Sequence, residues 1–367
     1  MGLGCVANRT QKGTTVRIPT RITAIAVGVA LLATTPAAYA GSEDWTGSGL
    51  ARQLADNGHH FSVDYGGTLY DDYGLTLDGV LALDATGVAK KEAMASTHYV
   101  GDHLADYIGY SPDAYAGATA KALVVARAQR LGNAPTGLNL LTQLKSLETA
   151  TGRFSDKSAW GDYSNTFSQS FALIALKKAG ATASRKSVAY LKLQQCPNGG
   201  FRETEADTAC TDNTKADPDA TAIAIQGLVA TPKTLDRAKR IFRAASYLVG
   251  LQNNGGGIKG GPGQVPNANT TGLAALSLQT AGRYTAAAKA RGFLKAVRYG
   301  CAFPAPMRGL IAYDKARFAE AKSQGAAAVV TDQDRRASTQ AALGLAKKAL
   351  VSVSNADSIA GLPSQTC

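Results

Sequence analysis

Apolar positions along this chain recur at intervals of three and four, and the segments that carry them come in pairs. Stretches such as TFSQSFALIALKKAG (166–180), DATAIAIQGLVA (219–230) and TTGLAALSLQTAG (270–282) are rich in small residues and apolar on nearly every face. A helix with that pattern has to be buried on both sides. Each is followed by a more polar helix, SRKSVAYLKLQQ (184–195) or TLDRAKRIFRAASYLVGLQ (234–252), whose charges alternate with apolar positions as on a surface helix. The first helices of the pairs are predicted at 73–84, 114–129, 166–178, 219–229, 270–280 and 338–348. β signal is slight, and there is neither a coiled-coil heptad nor a long linker. Residues 41–367 are therefore expected to form one all-α domain of about six helix pairs.

The pairs are joined in a repeated way. YLKLQQCPNGGF (190–201) and YLVGLQNNGGGI (247–258) share the spacing Leu-x3-Gln-x3-Gly-x-aromatic or Ile, and Leu144, Glu148, Gly152 and Phe154 repeat it more loosely. Recurrence at a period of this size marks one supersecondary unit stacked on its neighbours. Gly199 and Gly256 are expected to stop each polar helix in the left-handed conformation that glycine adopts at little cost. The glutamine one turn earlier would bond the loop backbone, and Phe201 or Ile258 would plug the gap between units.

Charge and cysteine content add a compartment. Residues 1–40 read as a secretory signal peptide: Arg9, Lys12, Arg17 and Arg21 without an acidic residue, an apolar run over 22–33, and Ala38-Tyr39-Ala40 as a cleavage signature. Loss of these four basic residues takes the net charge from +12 to +8, a mild attraction to polyanions such as cell-wall polymers. The basic residues are scattered and no nucleic-acid motif accompanies them. No later segment is apolar for long enough to span a bilayer. Four cysteines remain, and an even count in an exported chain points to two disulfides, for which Cys196–Cys210 and Cys301–Cys367 are the preferred pairing. The first closes a loop just after the double glycine; the second ties down the C-terminal end.

The repeated residues resemble the QW motif of the terpenoid-cyclase and protein-prenyltransferase toroid superfamily, aromatic-Leu-x3-Gln-x(2–5)-Gly-x-Trp. Tyr190-Leu191-x3-Gln195-x3-Gly199-x-Phe201 matches with Phe in place of Trp, and Tyr247-Leu248-x3-Gln252-x3-Gly256-x-Ile258 with Ile. The resemblance implies an α/α toroid, with six inner helices around a central cavity and outer helices outside. It says less about function, because that barrel serves cyclases, prenyltransferases, cobalamin carriers and thioester domains, and similar barrels occur in polysaccharide-degrading enzymes.

ADPDATA (216–222) is similar to the Asp-x-Asp-Asp of class II terpene cyclases, with Asp219 at the proton-donating position, Asp217 before it, and Ala220 where the last aspartate would stand. Protonating an alkene needs a carboxylic acid held neutral. The same residues also read as a favoured helix start, with Asp217 as N-cap, Pro218 at N1 and Asp219 near the helix dipole. SPDAYA (111–116) shows the same Pro-Asp-Ala start, and Asp332 and Asp334 read as caps before the last inner helix. Aromatic content is 7 %, with two Trp, which is lean for a cavity that stabilises carbocations. A prenyltransferase-type zinc site is not expected: the cysteines are used in disulfides, and His98 and His103 are five apart, a poor helical chelate. No cofactor is implied, and neither a thioester Cys-Gly-Glu-Gln nor a Gly-x-Ser-x-Gly elbow occurs.

DYGLT (72–76) and DYSNT (162–166) share Asp-Tyr-x-x-Thr just before inner helices. In a toroid the inner-helix N-termini face one mouth. Asp72, Tyr73, Asp162, Tyr163, Thr221, Asn269 and Thr270 would then line a polar, aromatic-edged opening suited to a small molecule, a carbohydrate or a peptide. The expected function is accordingly a secreted, non-catalytic binding or interaction module. The alternatives are an isomerase with Asp219 as general acid, or a polysaccharide-active barrel using a carboxylate pair.

Overall fold

Small side chains decide the architecture. Alanine, serine and glycine let apolar helices approach closely enough to close a ring. The computed structural model describes residues 42–363 and 367; the predicted signal peptide lies outside them. Among the described residues fourteen α-helices form: α1 (Ser42–Asp56), α2 (Tyr73–Thr86), α3 (Lys90–Asp102), α4 (Leu104–Ile108), α5 (Ala116–Ala128), α6 (Leu140–Ser146), α7 (Thr166–Lys178), α8 (Arg185–Leu193), α9 (Pro218–Val229), α10 (Leu235–Gly250), α11 (Ala268–Thr280), α12 (Tyr284–Ala296), α13 (Lys315–Gln324) and α14 (Asp332–Ala346). Helices α2, α5, α7, α9, α11 and α14 pack each against the next, and α14 returns to α2. Each of the outer helices α3, α6, α8, α10 and α12 lies on the inner helix before it, and α1 covers the junction of α14 and α2. This is an α/α toroid. The contact between α11 and α14 is tight: a β-carbon on Gly272 of α11 would lie 2.5 Å from the backbone oxygen of Gln340 in α14.

Three antiparallel hairpins lead into inner helices: β1 (Ser62–Tyr65) with β2 (Thr68–Asp71), β3 (Phe201–Arg202) with β4 (Ala216–Asp217), and β5 (Ile258–Lys259) with β6 (Pro266–Asn267). Side-chain oxygens cap the helices that follow, from Asp72, Asp217 and Asn267, as Asn165 does for α7 and Thr331 for α14. Two predicted helix starts move. Pro112 and Asp113 lie in the turn before α5, which begins at Ala116. Helix α14 begins at Asp332 rather than 338, so Asp332 and Asp334 sit in its first turn and Thr331 is the cap. Asp334 is fully buried there because Arg317 Nη2 lies 3.0 Å away and the Tyr299 hydroxyl donates to it at 3.0 Å.

The glycines do not stop the polar helices. Helix α8 ends at Gln194 and α10 at Leu251, both in ordinary right-handed geometry. Gly199 and Gly256 come later, at φ +95° and +87°, where the loop runs against the outer helix of the next unit. An added β-carbon would lie 2.6 Å from Arg243 O or 2.1 Å from Lys289 O. The glutamines do what the spacing predicts. Gln195 Nε2 donates to Gly199 O and to Arg240 O, and Gln252 Nε2 to Gly256 O and Ala286 O. Phe201 and Ile258 are completely buried between units.

The C-terminal ends of the inner helices are crossed by residues 347–363. Asn355 N–H donates to Ala128 O, Lys178 Nζ to Val353 O, Leu350 N–H to Gln226 Oε1 and Ile359 N–H to Gly87 O. Cys301–Cys367 anchors this tail, and Cys196–Cys210 staples the loop after α8.

Candidate functional site

A repeated hydrogen bond sets the register of the inner ring. The backbone N–H of each loop residue that plugs an inter-unit gap donates to one inner-helix side chain: Phe61 to Thr76 Oγ1, Phe154 to Gln169 Oε1, Phe201 to Thr221 Oγ1, Ile258 to Thr271 Oγ1 and Ile311 to Ser338 Oγ, all at 2.7–2.9 Å. In α2, α7, α9 and α11 the acceptor is the fourth helical residue, and Thr119 holds that place in α5. These side chains point outward. Residues two positions before or after lie about 200° round the helix, since each residue advances by about 100°, and so point into the ring. Gly74, Gly117, Phe167, Asp219, Asn269 and Arg336 form the layer nearest the N-terminal mouth. Asp78, Lys121, Phe171, Ile223, Leu273 and Gln340 form the layer below.

Contacts agree with that register. Lys121 Nζ lies 2.8 Å from Asp78 Oδ1, donates to Gly74 O at 3.3 Å, and stands 5.6 Å from the Phe171 ring centre, so α2, α5 and α7 meet through one ammonium. Burial alone would lower the Lys121 pKa, but Asp78, Tyr107 and Asp72 together outweigh it and the group stays charged. Phe171, Ile223 and Leu273 keep 8 %, 3 % and 4 % of their surface open, while their neighbours Ala172, Ala224 and Ala274 keep none. The inward faces of the ring thus line a funnel in which Phe171, Ile223 and Leu273 stand beside Asp78, Lys121 and Gln340 in the lower layer, with Asp219, Asn269 and Arg336 above. At its rim Arg336 Nη2 reaches Asp72 Oδ2 at 2.5 Å, and Asp72 Oδ1 accepts from Leu75 N–H.

Three polar atoms in these layers are buried without a hydrogen-bond partner: Asp219 Oδ1, Asn269 Oδ1 and Gln340 Oε1, from the consecutive inner helices α9, α11 and α14. Burial pushes the Asp219 carboxyl up to about 7, aided by the neighbouring charges of Asp217 and Glu203, while the Thr270 side chain pulls the other way. Asp217 is itself raised by burial, and its Oδ1 accepts from Ala220 N–H as the helix cap.

The other residues proposed for the mouth divide. Asp72 and Tyr73 lie at the rim and Asp219 and Asn269 face into the funnel, whereas Thr270 is buried between the two faces of α11 with its side chain beside Asp219. Thr221 does not line the funnel, because its buried hydroxyl faces the loop, accepting from Phe201 N–H and donating to Asp217 O. The two Asp-Tyr-x-x-Thr copies are not equivalent. Asp72 caps α2, whereas the cap of α7 is Asn165, and Asp162 organises its own loop by accepting from Asp156 and Ser164 N–H beside Arg153. Tyr163 is exposed in that loop. Asp78, Lys121, Phe167, Phe171, Arg336 and Gln340 escaped the sequence reading. The two-residue offset from Thr76, Thr119, Gln169 and Ser338 is the signal that finds them, and it requires knowing which side chains face the loops. Among the described residues no group of three or more His, Cys, Asp or Glu is placed to hold a metal ion, and no helix is long and apolar enough to cross a membrane.

No family model and no curated protein sequence matches the chain. Solved structures do. Type II terpene cyclase MstE from Scytonema, in its apo form, superposes with a TM-score of 0.59 at 11 % identity, over 83 % of this chain and 97 % of that one. The unsaturated glucuronyl hydrolase of Bacillus sp. GL1, responsible for the degradation of glycosaminoglycan, gives 0.54 at 12 % identity, over 82 % and 95 %. Haptocorrin in complex with Cbi gives 0.50 at 14 % identity, over 84 % of this chain and 67 % of that one. With the ring of inner helices described above, these likenesses identify the fold of this chain as the α/α toroid shared by terpene cyclases and glucuronyl hydrolases.

Proposed function

We propose that this is an exported, disulfide-bonded toroid that captures a donor-rich small molecule in the funnel at the N-terminal ends of its inner helices, without performing chemistry on it. One observation carries the reading. Asp219 Oδ1, Asn269 Oδ1 and Gln340 Oε1 are buried acceptors without partners, on three adjacent helices. A buried acceptor left unpaired costs about 1–3 kcal/mol. Three such atoms on adjacent helices, two in the upper layer and one in the layer below, favour a ligand that brings hydroxyl or amine donors to them. The Phe171 ring and the Lys121–Asp78 pair then supply an apolar face and a fixed dipole. Native mass spectrometry of protein purified from culture medium tests it: a retained small molecule that is lost from an Asn269→Ala, Gln340→Ala variant supports the reading, and equal retention by the variant removes the funnel from it.

A second reading has its own observation. A carboxyl raised to about 7 is partly protonated at neutral pH, which a general acid requires. Ala220, where a second acidic neighbour would stand in the cyclase motif, is completely buried. Incubation with squalene and shorter polyprenyl substrates separates the two. Cyclised product from the wild type, absent with a folded Asp219→Asn variant, would install the enzyme.

A further inference from the structure

Beside the funnel rim lies a shelf of rings that the capture of a small molecule does not use. The β1–β2 hairpin holds Tyr65 and Tyr70 out at 68 % and 55 % exposure, edge to face at 5.9 Å. With Tyr73 and Tyr107 they line an open cleft of about 650 Å³ whose floor includes Asp71, Asp72 and Gly74. Two of these floor residues are also funnel residues: Asp72 bonds Arg336 at the rim, and Gly74 O accepts from Lys121. Cleft and funnel therefore share one stretch of rim.

The shelf is rigid. Behind it the rings of His60 and Tyr99 stack at 4.2 Å, Tyr99 meets His103 at 4.9 Å, and His103 stacks on Tyr73 at 5.7 Å. Asp71 is fixed by the Tyr99 hydroxyl at 2.5 Å and by His60 Nε2 at 3.1 Å. Exposed tyrosine rings beside an oriented carboxylate offer apolar faces and hydroxyl acceptors together, and each tyrosine has few torsions to order. That pairing matches the two sides of a sugar ring, C–H faces and equatorial hydroxyls. The cleft's own charges are carboxylates, which repel an anionic chain.

We infer that the shelf and the funnel together bind a linear neutral glycan, one end seated among Asp219, Asn269 and Gln340 and the following sugar units lying across Tyr73, Tyr70 and Tyr65. This rests on the funnel reading above and names its ligand class.

Binding of cello-, chito-, xylo- and malto-oligosaccharides of one to six units is measured by calorimetry, with heparin-derived oligosaccharides and an unstructured peptide mixture as comparisons. The expected result is an affinity for one neutral series that rises at least tenfold from the monosaccharide to the tetrasaccharide. A Tyr65→Ala, Tyr70→Ala variant should lose that tenfold gain and keep monosaccharide affinity within twofold. Asn269→Ala should weaken both. Monosaccharide binding without any gain from length overturns the shelf and leaves the funnel standing. Binding of heparin fragments or peptides with no neutral sugar bound overturns the glycan. Absence of binding by every oligosaccharide, with a non-sugar molecule retained in native mass spectrometry, does the same and keeps the funnel.

Discussion

Gly256 approaches the outer helix of the next unit so closely that a β-carbon would lie 2.1 Å from the carbonyl oxygen of Lys289. Its φ of +87° adds a second reason for glycine. Gly263, also at positive φ (+73°), has nothing within 4 Å of its virtual β-carbon. Alanine at 263 should therefore cost only the backbone term, roughly 1 kcal/mol, while alanine at 256 adds a backbone clash and should cost about 3 kcal/mol or more. Urea unfolding of the two variants checks this. Equal losses would show that the close approach is not what selects the glycine.

The same residue shows how far the sequence could be read. The repeat was legible because a loop that must meet a neighbouring backbone tolerates one residue type, and that leaves a spaced mark. The mark's cause was not legible, since a glycine after a helix reads first as a helix stop. The inner helices were placed well where they are apolar all round, as at 166–178. They were misplaced at α14, whose first turn carries Asp332, Asp334 and Arg335 and looks like solvent until Arg317 and Tyr299 arrive from elsewhere in the chain. In the site, Asp219 and Asn269 stood out as polar residues at helix starts. Lys121 and Gln340 sit a turn deeper, where only the orientation of each helix tells funnel from core, and Thr221 was assigned to the wrong face for that reason.

Gln195 links units by donating to Gly199 O at 2.9 Å and Arg240 O at 3.0 Å, inside the ring wall. Replacing it with alanine leaves two carbonyls to find water, so a loss of about 2 kcal/mol is expected. Glutamate at that position keeps an acceptor for Arg240 Nη1 but turns its second oxygen on the same two carbonyl oxygens, so it should also destabilise. Thermal melting of both variants checks it, and an unchanged melting temperature for Gln195→Glu would remove the donor role.

The tail over the C-terminal ends of the inner helices should be worth more than its few contacts suggest. Asn355 is buried, donates from Nδ2 to Gln129 Oε1 at 3.0 Å and to Gln129 O at 3.4 Å, and lies within the segment that Cys301–Cys367 closes over 66 residues. Asn355→Ala should cost about 1–3 kcal/mol, and the Cys301→Ser, Cys367→Ser pair about 4 kcal/mol in the chain-entropy picture. Denaturation with and without reductant checks both. A reduced wild type as stable as the oxidised one would show that the tail needs no anchor.

Asp219 ties stability to function through pH. Its carboxyl titrates near 4 in an unfolded chain and near 7 in the fold, chiefly because it is buried and next because Asp217 is close. Between those values the folded state keeps a proton that the unfolded state has lost, so stability falls as pH rises from about 4 to about 7 and stays low above it. Burial also raises Asp84 to about 7 and Glu205 to about 8, so the wild type should melt at a higher temperature at pH 5 than at pH 8. Asparagine at 219 carries no proton to lose. It should match the wild type near pH 4 and exceed it at pH 8 by on the order of 2 kcal/mol, with that position's share of the slope gone and the shares of Asp84 and Glu205 remaining. Its affinity for the funnel ligand should drop, because one of the three free acceptors is altered. A stabilised variant that binds less well is the signature of a residue kept for its ligand at a cost to the fold. Parallel pH profiles for wild type and Asp219→Asn would mean the carboxyl is not held neutral, and the funnel would lose its central group.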